Sequence, residues 1–223
     1  VKAAYEEAKA IIDNVKTDEE LAAAKKAVEA QIAALPYTAK LTVADKAAVV
    51  AAYEAYADYM TMSGATDISV ASNTTLKANY DKVVELEKAE IEKAAEAAFK
   101  AYEALSYSDA DLAKALSMKA DIEKIVADGK ALEKEVKDVN ANTATHLGLT
   151  TVTVYTYALD TIDWTDIAGD NAYRLLVIAA KDGATVDQMK AALDAYNALT
   201  DREKMEMDYT ALPLAKVVEG KLG

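Results

Sequence analysis

Six residues in the middle of the chain constrain its fold more than any others. Ile122, Ile125, Gly129, Leu132, Val136 and Val139 advance by three, four, three, four and three positions. That spacing lays one apolar stripe along a helix and suits near-antiparallel helices packed at shallow angles. Gly129 on the stripe permits close helix approach; as a tolerated weak point it costs about 1 kcal/mol against alanine. An upstream stretch repeats the theme. Val84, Ile91, Ala98 and Leu105 fall seven apart, with Ala94 and Ala101 expected in the alternate layer. Alanine fills 49 of the 223 positions, and it loses no side-chain entropy on entering a helix. Seven Gly and two Pro are too few for the frequent turns of a β-sandwich. The length allows one domain or two with a substantial core.

Start signals divide the chain into further helices. Residues 1–15 read as a helix. Thr17-Asp18-Glu19-Glu20 is a capping box, opening a helix with Leu21, Val28, Ile32 and Leu35 on one face and Pro36 at its end. Thr42 caps a third, where Val49, Tyr53, Tyr56 and Met60 share a stripe. Residues 62–74 read as a polar loop containing Gly64, followed by a long helix from about Thr75 to Leu105. Ser108 restarts a helix that carries the central stripe to Asn140. Residues 140–170, rich in Thr, Asn and Asp, break the pattern. Within them Thr151 to Tyr157 alternate β-branched and aromatic residues, so a short strand or an extended segment across the helices is expected. Helix resumes near Asn171. Thr185 to Gln188 and Thr200 to Glu203 are two more capping boxes, and a last helix is expected over about Ala211–Lys221. These signals predict an all-α fold of tandem, elongated three-helix-type bundles with an irregular or β-like segment near 150–158. Residues 1–140 form the first module, with 62–74 as an inserted loop. Residues 141–223 form the second.

The chain also repeats itself. Ala191-Ala192-Leu193-Asp194-Ala195-Tyr196 aligns with Ala51-Ala52-Tyr53-Glu54-Ala55-Tyr56 at a constant offset, and Met189 matches Val49. Asn79-Tyr80 and Asp208-Tyr209 hold related places downstream. A repeated helix–helix unit is the mark of a modular array. Ile32-Ala33-Ala34-Leu35-Pro36 followed by Leu41 to Val49 resembles the alanine-rich helical modules of cell-surface and S-layer proteins in Gram-positive-type bacteria. Ala191 to Thr200, followed by Glu203-Lys204, is similar to a second segment of those modules. The resemblance covers residues 18–105 and 177–222. It implies a secreted protein at the cell surface or cell wall. Its partners would be neighbouring domains of a longer surface protein or other copies of itself. No S-layer homology motif is visible, so wall anchoring is expected from outside this sequence.

Charge and motifs narrow the function. There are 38 acidic and 25 basic side chains, a net charge of −13, which opposes binding to nucleic-acid backbones. Lys130, Glu133, Lys134, Glu135 and Lys137 read as a solvated helix face, as do Glu85, Glu87, Glu90, Glu92 and Glu96 with Lys82, Lys88 and Lys93 between them. No apolar run is long enough to span a membrane. The chain starts Val1-Lys2 with neither initiating Met nor signal peptide, the expectation for a mature protein or an excised fragment. Without cysteine there is no disulfide, thiolate nucleophile or zinc–thiolate site. No nucleophile elbow, phosphate loop or HExxH motif accompanies the single His146, which reads as a surface or packing histidine. No catalytic residue is expected. Asp160, Asp163, Asp166 and Asp170 are the one candidate metal cluster: hard oxygen ligands at short spacing suit calcium. The same residues also suit caps of turns and helix starts. Tyr53, Tyr56, Tyr59, Tyr80, Tyr102 and Tyr107 read as core residues with hydroxyls at the rim, or alternatively as a binding face. The sequence therefore predicts a non-catalytic structural or spacer module needing no cofactor. The alternative is an adhesin-like or wall-glycan-binding module, using loop 62–74 or segment 140–170 to hold a cell-wall polymer or a host protein.

Overall fold

The computed structural model describes residues 16–106, 108–207 and 210–223. The helix expected over 1–15, along with Tyr107, Asp208 and Tyr209, lies outside the described residues. The chain is all-α. Its helices are α1 (Asp18–Ala33), α2 (Lys46–Met60), α3 (Val70–Glu103), α4 (Asp109–Ala141), α5 (Trp164–Ala180), α6 (Val186–Ala198), α7 (Asp201–Glu206) and α8 (Ala211–Leu222). Short 3-10 turns lie at Thr38–Lys40, Val43–Asp45 and Leu159–Thr161. None of the described helices is long and apolar enough to cross a membrane.

The capping boxes form as their spacing requires. The Thr17 hydroxyl accepts from the Glu20 amide at 3.2 Å while the Glu20 carboxylate accepts from the Thr17 amide at 2.8 Å. Thr42 with Asp45, Thr185 with Gln188 and Thr200 with Glu203 repeat this reciprocal pair. Each satisfies amides that a helix start leaves without intrahelical partners, worth about 1 kcal/mol per cap.

The chain divides into two compact units. One holds the residues up to Glu92 together with Asp128–Val154; the other holds Lys93–Ala127 and Tyr155–Gly223. The division falls inside α3 and α4, not at 140–141 as the loss of pattern there suggested. Both long helices contribute to both units, because their stripes continue without a break in hydrophobicity.

In the first unit the core gathers Ile32 of α1, Val49, Ala52 and Tyr56 of α2, Leu76 and Val83 of α3, and Val136 of α4, each nearly or fully buried. Burying an aliphatic side chain of this size contributes about 1.5–3 kcal/mol. Gly64 turns with φ +86, a left-handed value, and a Cβ there would come within 3.2 Å of Leu21 Cδ1. In the second unit α5, α6 and α8 close a three-helix cluster around Leu176, Ala179, Met189, Ala192, Ala215 and Val218. The internal repeat has a structural meaning. Two of the matched pairs, Val49 with Met189 and Ala52 with Ala192, are buried in both copies, whereas Tyr53 and Tyr56 are buried and their counterparts Leu193 and Tyr196 only partly so. Each unit thus contains one copy of the motif, facing its own core.

Four expectations need correction. The loop expected to 74 ends at Ser69, because its hydroxyl accepts from the Ser72 amide at 3.2 Å and starts α3 there. The alternate layer of α3 is Ala95, fully buried, while Ala94 and Ala101 are exposed. At 3.6 residues per turn, a strict seven-residue pattern drifts by about 20° per heptad. The irregular segment expected to 170 ends at Asp163: its carboxylate accepts from the Thr165 and Asp166 amides, both at 3.1 Å, so α5 begins at Trp164. Of the two forms expected over Thr151 to Tyr157, a short strand or an extended segment, the extended segment is the one found. Residues 149–156 have negative φ and neither helix, turn nor bend, so they are extended but without a ladder. Finally, the helix faces read as solvated are only partly so. Lys130, Lys134 and Lys137 are exposed, but Glu87, Glu133 and Glu135 border the apolar stripes and are drawn inward.

Candidate functional site

The four aspartates singled out in the sequence do not form one cage. Asp163, Asp166 and Asp170 line a cleft of about 260 Å³ with Tyr173 of α5 and Glu203 and Glu206 of α7; Asp160, on the 3-10 turn Leu159–Thr161, does not line it. Its carboxylates have local duties. Asp163 caps α5. Glu203 belongs to the Thr200 box, where hydrogen bonds from the Thr200 amide and hydroxyl hold its pKa below the ordinary glutamate value. Glu206 accepts from Arg202 Nε at 2.8 Å. Among the described residues, no three His, Cys, Asp or Glu side chains stand close enough to hold a metal ion.

A different cluster occupies the first unit. Lys46, in the first turn of α2, reaches Glu87 of α3 and Glu135 Oε2 of α4, the latter at 2.7 Å. Tyr80 of α3 donates to Glu135 Oε1, also at 2.7 Å. One carboxylate therefore ties three helices. Burial works against the Lys46 ammonium, but hydrogen bonds to Glu135 and Glu87 and their charges outweigh it and raise its pKa. Burial, then the Glu135 hydrogen bond and charge, push the Tyr80 hydroxyl pKa far upward and keep it neutral. Its ring meets Tyr53 edge-on at 5.7 Å between centroids. The sequence hint was modest: Glu87 lies four after Val83 and Glu135 three after Leu132, each flanking an apolar stripe.

A second set of ties pins the connecting segments. The Tyr56 hydroxyl, fully buried with its ring, lies against both the Asp67 carboxylate and the Thr145 carbonyl; burial first and Asp67 second raise its pKa. Tyr59 donates to the Thr66 carbonyl at 2.8 Å, and the Ser69 amide donates to Glu29 at 2.7 Å. Thus most of the shortened loop after α2 is fastened to the helices. Asn79, wholly buried, accepts from the Thr38 hydroxyl and donates to the Pro36 carbonyl. In the extended segment, Asn140 binds both backbone groups of Leu149, Asp81 takes the Thr150 amide at 2.8 Å, and Glu133 takes the Val154 amide at 2.7 Å. Side chains here stand in for a neighbouring strand. Among the described residues, no buried side-chain nitrogen or oxygen lacks a partner.

The six tyrosines weighed as core or platform resolve mostly to core. Tyr53, Tyr56, Tyr59 and Tyr80 are at most 9% exposed, and Tyr102 is half-buried against Trp164. The exposed aromatics are elsewhere: Tyr37, 82% exposed, and Tyr155. Tyr155, 61% exposed, packs on Tyr157 at 4.5 Å, and Tyr157 stacks on Phe99 at 5.5 Å. Tyr157 and the following Ala158 both have positive φ, 54 and 55. Non-glycine residues adopt this region at a cost of about 1 kcal/mol or more each. His146 is exposed, with φ 48.

No protein-family model, curated protein or solved structure matches the chain.

Proposed function

We propose that the chain is a non-catalytic structural or spacer module of a bacterial cell-surface or S-layer-type protein, acting outside the cell. The observation that carries this reading is the Lys46–Glu87–Glu135–Tyr80 cluster. Its ionisable groups engage one another and hold α2, α3 and α4 together. Tyr56, Asn79 and Asn140 are engaged in the same way. Such a module works by being folded. The abundant surface carboxylates keep it soluble in an array of like modules. The test is a module exchange in the native cell. An unrelated all-helical module of similar length, substituted for this one, is expected to preserve the surface layer; a variant with Lys46 and Glu135 both changed to Ala is expected to lose it. Failure of the exchanged module with the layer otherwise assembled contradicts a spacer role.

Tyr155 favours a second reading, a surface binding module. Its ring is exposed and backed by Tyr157 and Phe99, a platform suited to stacking on a wall glycan or on an apolar side chain of a host protein. Sedimentation with purified cell-wall polymer checks it. Binding that Tyr155→Ala abolishes supports the reading, and equal binding by both proteins contradicts it.

A further inference from the structure

The chain contains two Asp-Gly pairs, Asp128-Gly129 and Asp182-Gly183, and the fold sets them in opposite surroundings. Asp128-Gly129 lies inside α4, where Gly129 is buried and its peptide group is held in the helical hydrogen-bond pattern. Asp182-Gly183 forms the tip of the turn between α5 and α6, which the Ala184 amide closes by donating to the Lys181 carbonyl at 3.4 Å. Gly183 takes φ +83, the left-handed value that glycine supplies at the third place of such a turn, and a Cβ there would meet nothing within 4 Å. Its amide makes no hydrogen bond to any described residue. The Asp182 side chain is fully exposed. Lys221 Nζ stands 3.8 Å from its carboxylate, beyond hydrogen-bond reach, and is taken instead by the Ala180 and Lys181 carbonyls at 2.5 and 2.9 Å. A carboxyl that no donor fixes is thus next to an amide with no partner.

We propose that Asp182-Gly183 is a self-acting modification site, where the chain converts its own aspartate to isoaspartate through a succinimide. The Gly183 nitrogen attacks the side-chain carboxyl carbon of Asp182 in its acid form. A carbon–nitrogen bond forms, the carboxyl hydroxyl leaves with the amide proton as water, and a five-membered imide results. Water then opens the imide. Cleavage at the side-chain carbonyl restores aspartate. Cleavage at the main-chain carbonyl leaves the backbone running through the Asp182 Cβ, with the former main-chain carbonyl as a free carboxylate. Water is the only co-reactant. Ring closure requires an amide free to turn toward the side chain and a following residue without a Cβ. Both hold at 182–183, and the first fails at 128–129. The helices on either side stay in place, because Ala180 and Ala184 flank the tip and pack against the core cluster of Leu176, Ala179 and Met189. The inference rests on this turn alone and is independent of the cell-surface reading.

The test is ageing of the whole chain in neutral buffer at physiological temperature. Tryptic peptide mapping follows, together with methyl transfer from labelled S-adenosylmethionine by an isoaspartate-specific carboxyl methyltransferase. Cleavage after Lys181 and Lys190 isolates Asp182-Gly183, and cleavage after Lys124 and Lys130 isolates Asp128-Gly129. Isoaspartate is expected to accumulate with time in the first peptide, seen as a retention shift at unchanged mass and as methyl acceptance. The second peptide is expected to stay unmodified. Asp182→Glu, which keeps the charge but must close a less favourable six-membered ring, is expected to lose the signal. Asp182→Asn, which releases ammonia in place of water, is expected to gain it sooner. No product at Asp182 in the aged chain, product at Asp128 to the same extent, or equal product in Asp182→Glu overturns the proposal. So does an Asp182→Asn chain that ages without deamidation, which would show that the turn forbids ring closure.

Discussion

Tyr80 donates its hydroxyl proton to Glu135 across the core of the first unit at 2.7 Å, and the other oxygen of that carboxylate takes the Lys46 ammonium. Tyr80→Phe keeps the ring against Tyr53 and removes only the hydrogen bond. Loss of a hydrogen bond to a charged acceptor is expected to lower stability by about 1–2 kcal/mol. Lys46→Met is expected to cost at least as much, because Glu87 and Glu135 then face each other without a cation. Urea denaturation followed by circular dichroism checks both. Full retention of stability by Lys46→Met shows that the ion pairs do not stabilise the fold.

The same residues set an alkaline limit. The Tyr56 and Tyr80 pKa values lie above the ordinary tyrosine value of 10.0 in the fold. The unfolded chain therefore loses these protons first. Their stabilising contribution is complete below pH 10 and declines as pH rises above it. Lys46, also raised, acts in the same direction. Unfolding free energies measured from pH 8 to pH 11 are expected to fall, and less steeply in Tyr80→Phe than in the parent chain.

The acid limit comes from the caps. Hydrogen bonds from Thr17, Thr42 and Thr200 hold Glu20, Asp45 and Glu203 below their ordinary values of 4.5, 3.8 and 4.5, and those from Ser106 and Ser108 do so for Asp111. Depressed carboxylates stabilise above the unfolded pKa and lose that contribution as pH drops through the folded one. Melting temperature is therefore expected to hold down to about pH 4.5 and to fall below it. Replacing Thr17 and Thr200 by Ala should flatten that fall.

Asn140 is expected to hold the extended segment. Asn140→Ala removes both bonds to Leu149 and should cost about 1–2 kcal/mol. Exchange of the Leu149 amide should accelerate more than that of the Thr150 amide, which Asp81 still engages. Equal acceleration at both positions contradicts local pinning by Asn140.

The matched alanines should behave alike. Ala52 and Ala192 are wholly buried at equivalent positions of the repeat. Leucine at either position overpacks its helix contact, with an expected cost of about 1–3 kcal/mol. Thermal unfolding of Ala52→Leu and Ala192→Leu checks this, and a large difference between them shows that the repeat does not extend to packing.

Most of the architecture was legible because its signals are local. Thr17, Thr42, Thr185 and Thr200 each need a partner only three residues on, and all four boxes form. The stripe from Ile122 to Val139 needs only helical periodicity. Two helix starts were misplaced because Ser69 and Asp163 cap stretches whose Ser, Thr and Asp content resembles loop. The strand signal at 151–157 described local conformation correctly, but a ladder requires a partner that no other described segment supplies. The Lys46–Glu87–Glu135–Tyr80 cluster was not legible, since it joins positions remote in sequence through groups that single-helix reasoning assigns to solvent. The aspartates were half legible: three of the four share a cleft, and capping accounts for Asp163.

The most direct measurement is labelling of intact cells that make this protein, using an antibody raised against the folded chain. Placement as a structural module at the cell surface predicts labelling before lysis, removed by brief protease treatment of whole cells. Labelling that appears only after the envelope is broken contradicts that placement.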